Sequence, residues 1–306
     1  MRNKIDIWFA PHEIIRKNIE NFIKRYIHQH CCRFWHSKIV NNFDAIVVGS
    51  DQIWRPKYSR PIEHAFLSFI RDSNIKRIAY AASFGVDFCE YSEKQLAICS
   101  SLLKKFDAVS VREDSGIYLC ESYFGVKAVQ MLDPTLLLSE EDYRDLIVKG
   151  ENTKPSNGNL LVYILDKTQE KISLVEKIAK EKKMTPFWLD NQDEYRDDFE
   201  IEKQVKMPVE QWLRSFDEAE FVFTDSFHGC IFSIIFRKQF LVFGNRKRGL
   251  SRFNSLLNLF SLNERLIISA NEYLHNSSPI DFDVVYKKLD SLRKQSYKFI
   301  KTELRK

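Results

Sequence analysis

No hydrophobic run in these 306 residues reaches the ~18 residues that a membrane-spanning helix requires. The opening stretch MRNKIDIWFAPHEIIRKN lacks the long apolar segment of a secretory leader, so a cytoplasmic chain is expected. Glycine is scarce, at nine residues, and neither GxGxxG nor GxxxxGK followed by Ser or Thr occurs. That counts against dinucleotide and P-loop sites. The six cysteines (31, 32, 89, 99, 120 and 230) show no CxxC or other metal-ligand spacing. Their apolar surroundings predict buried free thiols, no metal and no cofactor. Charge of one sign is also lacking: 47 Lys and Arg face 42 Asp and Glu, a formal net charge of +5. With no basic stripe interleaved with stacking aromatics, nucleic acid is not an expected partner. The cations do gather at the two ends, around Arg16–Lys38 and Lys287–Lys306. Both runs read either as solvated helix faces or as attraction to an anionic membrane surface or lipid phosphate.

What the chain has in quantity is core. Its residues are 44% hydrophobic, enough for one large α/β domain or two of medium size. Residues 12–38 read as an amphipathic helix with Ile15, Ile19, Phe22, Ile23, Tyr26 and Ile27 on one face. Short apolar runs then alternate with helical patterns. Strands are expected at 44–49, 77–85, 108–111 and 128–132, with a helix over 92–106 opened by the capping box Ser92–Gln95. The polar stretch 139–158, with Pro155, Asn157 and Gly158, reads as a boundary, giving domains 1–145 and 146–306. The second half repeats the alternation: strands at 160–165, 186–189, 221–223 and 240–243, and helices at 169–182, 209–216, 228–236 and 251–260. A basic C-terminal helix follows. Such alternation predicts two Rossmann-like parallel sheets with helices on both faces, the two halves facing a cleft.

Polar residues cluster where the strands stop, which is where open α/β sheets build ligand sites. After the first strand, Asp51 and Gln52 can hold sugar hydroxyls, with Trp54 as an apolar platform; a helix cap and a core tryptophan are the alternative. After the second, Ser83 stands among small residues that suit close approach of a ligand or of backbone. Arg112 ends the third strand and can grip phosphate or carboxylate with two parallel hydrogen bonds, or pair with Glu113, Asp114 or a neighbour. Asp133 precedes Pro134 and either caps the turn or joins a site. In Thr224-Asp-Ser-Phe-His-Gly229, His228 follows a strand end and meets a fresh helix N-terminus, the place for an acid–base imidazole beside an anion. Asp225 can orient that imidazole or cap the helix. Arg246, Lys247, Arg248 and Arg252 put four cations in seven residues. With Ser251 as an expected N-cap, this is a surface charge run or an anion site.

Five motifs occur in order: Gly49-Ser-Asp-Gln-Ile-Trp, Tyr80-Ala-Ala-Ser-Phe-Gly, Val111-Arg-Glu-Asp-Ser, Leu132-Asp-Pro-Thr-Leu-Leu and Thr224-Asp-Ser-Phe-His-Gly. Together they resemble the polysaccharide pyruvyl transferases of bacterial capsule and exopolysaccharide pathways, over roughly residues 43–300. The trailing Ser251-Arg-Phe-Asn-Ser-Leu-Leu is similar to one branch of that family. The resemblance implies a two-domain fold similar to GT-B glycosyltransferases. It implies transfer of pyruvate from phosphoenolpyruvate to two hydroxyls of a sugar, often lipid-linked or polymeric, as a cyclic ketal. It makes His228 the catalytic residue and Arg112 an anion-binding one. On the reading of the strand ends, Asp51 is expected to position or deprotonate the acceptor, and Gln52, Trp54 and Ser83 to contact it. Some members carry a donor-binding arginine at the place of Ser226, so Ser226, Arg248 and Arg252 are the expected donor contacts, with Lys247 behind them. The first strand-loop-helix unit of the family reads as missing or replaced. A nucleotide-sugar glycosyltransferase of the same architecture and a non-catalytic glycan-binding homologue are the alternatives.

Overall fold

The computed structural model describes residues 4–29, 42–70, 74–151, 153–189, 204–245, 249–274 and 278–305. Along the chain run α1 (Lys4–Tyr26), β1 (Ala45–Val48), β2 (Lys76–Ala82), α2 (Glu93–Leu103), β3 (Ala108–Val111), α3 (Asp114–Leu119), β4 (Val129–Gln130) and α4 (Glu140–Lys149). Then come β5 (Leu160–Tyr163), α5 (Gln169–Lys182), β6 (Pro186–Trp188), α6 (Val209–Glu218), β7 (Phe221–Thr224), α7 (Phe227–Ile235), β8 (Gln239–Phe243), α8 (Ser251–Phe260), β9 (Leu266–Ile267) and α9 (Phe282–Arg305). The described residues form a mixed α/β protein with two sheets, ordered β1-β2-β3-β4 and β6-β5-β7-β8-β9. Every pairing among β1 to β4 is parallel, as are β5–β6, β5–β7 and β7–β8.

The chain divides into two compact units, and neither is continuous in sequence. One holds Cys32–Leu138, Gly244–Leu266 and Ile280–Lys306; the other holds Met1–Cys31, Ser139–Phe243 and Ile267–Pro279. A single cut near residue 145 therefore does not separate them. The segment 139–158 is not all loop either. Ser139 caps α4, with Asp142 completing a capping box, so the stretch opens a helix that the polar composition concealed.

In the first-sheet unit the core gathers around Trp54, which is fully buried with its ring stacked on Phe66 at 5.1 Å and tilted against Phe84 at 5.3 Å. Leu103, Val109, Val111, Leu119 and Phe124 complete it. The capping box of α2 forms as expected, with Ser92 and Gln95 exchanging bonds. Strand β2 carries an irregularity between Ala79 and Ala82, where Ala81 has φ 48°. The Ser110 hydroxyl fills it, accepting from the Ala81 N–H at 3.0 Å and donating to the Ala79 carbonyl at 2.9 Å. Such a bulge re-aims the end of the strand, here toward Ser83.

Gly49 ends β1 at φ +151°, and a Cβ there would lie 2.0 Å from the Tyr80 carbonyl oxygen. That oxygen belongs to the backbone of the neighbouring strand and cannot yield. Gly49→Ala is expected to cost about 3 kcal/mol or more, read as a lowered urea midpoint with the slope unchanged.

In the second-sheet unit the central strands are buried and mostly apolar: all of Phe221–Thr224 is buried, as are four of the five residues of β8. Strands covered on both faces read as unbroken apolar runs for this reason. Cys99, Cys120 and Cys230 are buried and free and Cys89 is half-buried and free, whereas Cys31 and Cys32 lie outside the described residues. Burial pushes the Cys99 and Cys120 thiols up to about 12, which leaves them inert as nucleophiles.

Candidate functional site

The polar residues at the carboxyl end of the second sheet are ordered by backbone bonds. Thr224 closes β7 by donating its hydroxyl to the Tyr163 carbonyl at 2.7 Å and accepting from the Ser226 N–H at 3.0 Å. Ser226 caps α7, its hydroxyl accepting from the Gly229 N–H at 3.3 Å. Gly229 is required by space, since a Cβ there would meet Thr224 Oγ1 at 2.3 Å.

Asp225 takes neither of the roles expected for it. Its buried carboxylate accepts from the N–H groups of Leu165 at 2.6 Å and Asp166 at 3.1 Å, and pairs with Lys171 Nζ at 2.7 Å. Lys171 is itself buried on α5 and also donates to the Asp166 carbonyl at 2.8 Å. Asp225 thus ties the end of β7 to the loop after β5. Sequence reasoning missed Lys171 because helix α5 reads as a plain amphipathic pattern.

One residue stands apart. Every residue from Phe221 to Phe236 is buried except His228, which is half-buried at the second position of α7. Its ring sits edge-on to Phe227, with centroids 5.5 Å apart. A titratable imidazole is therefore held on the only accessible spot of a rigid strand–turn–helix, beside the first-turn amides that favour an anion.

The carboxyl end of the first sheet holds a charge cluster. The Arg112 guanidinium donates from Nε to Glu113 Oε1 at 2.8 Å, from Nη1 to Asp133 Oδ2 at 2.8 Å and from Nη2 to Asp51 Oδ1 at 3.3 Å. The side chains of Arg112, Glu113 and Asp133 are at most 3% exposed, while that of Asp51 is 64% exposed. Burial alone would lower the Arg112 pKa, but Glu113 and Asp133 outweigh it and hold it above the ordinary value. Arg252, half-buried in the first turn of α8, belongs to the same surroundings. Its pKa is lowered by burial and by the charge of Arg112, against the pull of Glu113 and Asp51. Helix α8 is tied to this sheet end through Ser255, whose hydroxyl accepts from the Asp114 N–H at 3.0 Å and from Gln130 Nε2 at 2.8 Å.

The model of the family described as "Polysaccharide pyruvyl transferase" matches residues 4–247, most of the chain. The chain belongs to that family. No curated protein matches it. A solved structure of an uncharacterized protein from Klebsiella pneumoniae subsp. pneumoniae NTUH-K2044 is similar with a TM-score of 0.46 and 13% identity, covering 85% of this chain and 89% of that one. The family match includes Asp51, Arg112 and His228 and stops before Arg248 and Arg252.

In this pyruvyl transferase the structure brings Asp51, Arg112 and Arg252 together at one sheet end and places Ser226 and His228 at the end of the other sheet. Arg248, with Arg246 and Lys247, lies outside the described residues. Further readings are corrected. Trp54 cannot be a sugar platform, because no part of it is exposed and its ring packs between Phe66 and Phe84. Ser83 is fully buried, and its hydroxyl is spent donating to Glu113 at 2.9 Å and accepting from the Gly85 N–H at 3.0 Å. Arg112 makes the ion pairs that were its alternative, so its buried guanidinium organises carboxylates. Gln52 is half-buried and accepts from Arg55 Nη1 at 3.0 Å. Ser251 is the first residue of α8 and not its cap, which is Leu250. Glu113 is the ion-pair partner expected as the alternative for Arg112, and Asp133 both caps its turn, accepting from the Thr135 N–H at 3.0 Å, and joins the cluster. Among the described residues no group of three or more His, Cys, Asp or Glu is placed to hold a metal ion.

Proposed function

We propose that this pyruvyl transferase moves pyruvate from phosphoenolpyruvate onto two hydroxyls of a sugar in a bacterial surface glycan or its lipid-linked precursor, forming a cyclic ketal. The observation that carries the reading is His228, the one accessible residue of a buried strand–turn–helix in a chain of this family. Protonated His228 gives its proton to the vinylic carbon of the donor. The neighbouring carbon becomes oxocarbenium-like and takes the first sugar hydroxyl, whose proton passes through Asp51 to the phosphate. Hydrogen phosphate then leaves with its bonding electrons, and the second hydroxyl closes the ketal ring, its proton returning His228 to the protonated form. First-turn amides of α7 and fixed cations stabilise charge on the phosphate and carboxylate.

For the donor we assign Ser226, whose hydroxyl proton is given to no described residue, together with Arg252 and Arg248. For the acceptor we assign Asp51, the exposed arm of the Arg112 cluster, which can accept a hydroxyl proton, and Gln52. Arg112 acts on the acceptor through Asp51. An arrangement similar to GT-B glycosyltransferases, with the second-sheet unit as donor side and the first-sheet unit as acceptor side, is part of the same proposal. So are the absence of a cofactor and a cytoplasmic location.

Incubation with phosphoenolpyruvate and a panel of lipid-linked sugars, read by mass, is expected to show a gain of one pyruvate less one water, with release of one phosphate. Transfer of a sugar from a nucleotide donor instead would replace this reading with a glycosyltransferase. Glycan binding without phosphate release would make the chain a non-catalytic member.

A further inference from the structure

We infer that the outward face of α9 is a docking surface for anionic lipid headgroups. At 3.6 residues per turn, Lys287, Lys294, Lys298, Lys301 and Arg305 fall within an arc of about 60°. All five are exposed, and none makes a hydrogen bond or ion pair with a described residue. They form a straight row about 27 Å long at 1.5 Å per residue. The opposite side of the helix carries its buried residues, Phe282, Val285, Leu289 and Ser296. That side is fastened to the first-sheet unit: Arg293 donates from Nε to the Leu136 carbonyl at 2.7 Å, and the Leu132 N–H donates to Ser296 Oγ at 3.4 Å. The helix therefore cannot roll, and the row faces away from the body that holds it.

The charge of the row selects the partner. Of the acidic residues of α9, only Asp283 shares the arc, at its start; Asp290 at the margin is drawn to Arg293 at 3.3 Å. Five exposed cations on one line, none paired with a described residue, complement a plane of negative headgroups, which accepts all of them at once. Val284 and Leu304 flank the row, 64% and 46% exposed, and can enter the headgroup boundary. No aromatic ring lies on the arc itself; Tyr297 stands at its margin, 41% exposed with its hydroxyl donating to the Leu137 carbonyl at 2.9 Å, and a glycan chain is the competing occupant that the test below reads. No described helix is long and apolar enough to cross a membrane, so contact through this row is peripheral.

This inference gives a place to the membrane-linked acceptor of the proposed function but does not need the reaction, and its test reads binding without turnover. The full chain is sedimented with vesicles rich in phosphatidylglycerol and with vesicles of phosphatidylcholine alone. Each cation near an anionic surface raises partitioning roughly fivefold. The triple variant K294Q/K298Q/K301Q is thus expected to bind anionic vesicles about a hundredfold more weakly, on the same principle, and high salt is expected to release the parent protein. These side chains are exposed, so the variant should unfold at the parent's urea concentration; circular dichroism checks this. Equal binding to both vesicle types, undiminished binding of the variant, or binding to a soluble anionic polysaccharide in preference to vesicles would overturn the proposal.

Discussion

Replacing His228 by alanine is expected to lower ketal formation by about 10²–10⁴, the usual worth of a positioned general acid, while the protein stays folded. The imidazole is the only side chain between Phe221 and Phe236 that is not buried, so its removal opens no cavity in the core. The cap at Ser226, the Thr224 bonds and the Asp225–Lys171 pair do not involve it, and the strand–turn–helix should keep its shape. Thermal stabilisation by phosphoenolpyruvate should persist in the variant, since the proposed donor contacts lie elsewhere. His228→Gln keeps hydrogen bonding but cannot deliver a proton at neutral pH, and it should be as slow as the alanine form. Turnover within a few-fold of the parent in either variant would remove His228 from the chemistry. Loss of the folded state would contradict the placement of the ring.

Arg112→Met is expected to be among the most damaging single changes for stability. The guanidinium neutralises two buried carboxylates, Glu113 and Asp133, each at 2.8 Å. Taking the cation away leaves both carboxylates buried without it, and breaking a buried pair in this way typically costs about 3–5 kcal/mol. The third partner adds little, because Asp51 is largely exposed and its contact is longer, at 3.3 Å; exposed pairs contribute about 0–1 kcal/mol. Asp51→Asn should accordingly unfold near the parent's urea concentration yet transfer pyruvate more slowly. Arg112→Lys keeps the charge but offers one point in place of a planar fork, so it should fall between the two. A parent-like urea midpoint for Arg112→Met would show that Glu113 and Asp133 need no counter-charge.

The strands were legible wherever they are buried on both faces, because β7 and β8 then read as unbroken apolar runs bounded by polar residues. Helices α5 and α8 lie at the expected residues, 169–182 and 251–260, since an amphipathic period and its end signals are local. Helix α4 was missed because Glu140, Glu141 and Asp142 make its first turn acidic; Ser139 three residues before Asp142 was the signal that could have found it. The site was legible as a set of strand ends but not as a network. Asp133 lies 21 residues from Arg112 and Asp51 lies 61 away, and nothing local announces such pairings. The fate of Trp54 was equally non-local, since Phe66, Phe84 and Phe106 fill its surroundings. Which unit each helix joins was beyond pattern reading: α8 and α9 follow the second sheet in sequence and pack with the first.

That last feature bears on how the chain matures. A polypeptide emerging from a ribosome presents β1 to β4 early, well before α9 has been made. Yet Leu132, Leu136 and Tyr80 meet their partners on α9: Ser296, Arg293 and Phe299. The unit built on the first sheet must wait with that apolar surface uncovered while the whole of the second sheet is synthesised. Such waiting states aggregate readily. Expression of the first 145 residues alone would prolong that exposure indefinitely, so the chain is best handled whole.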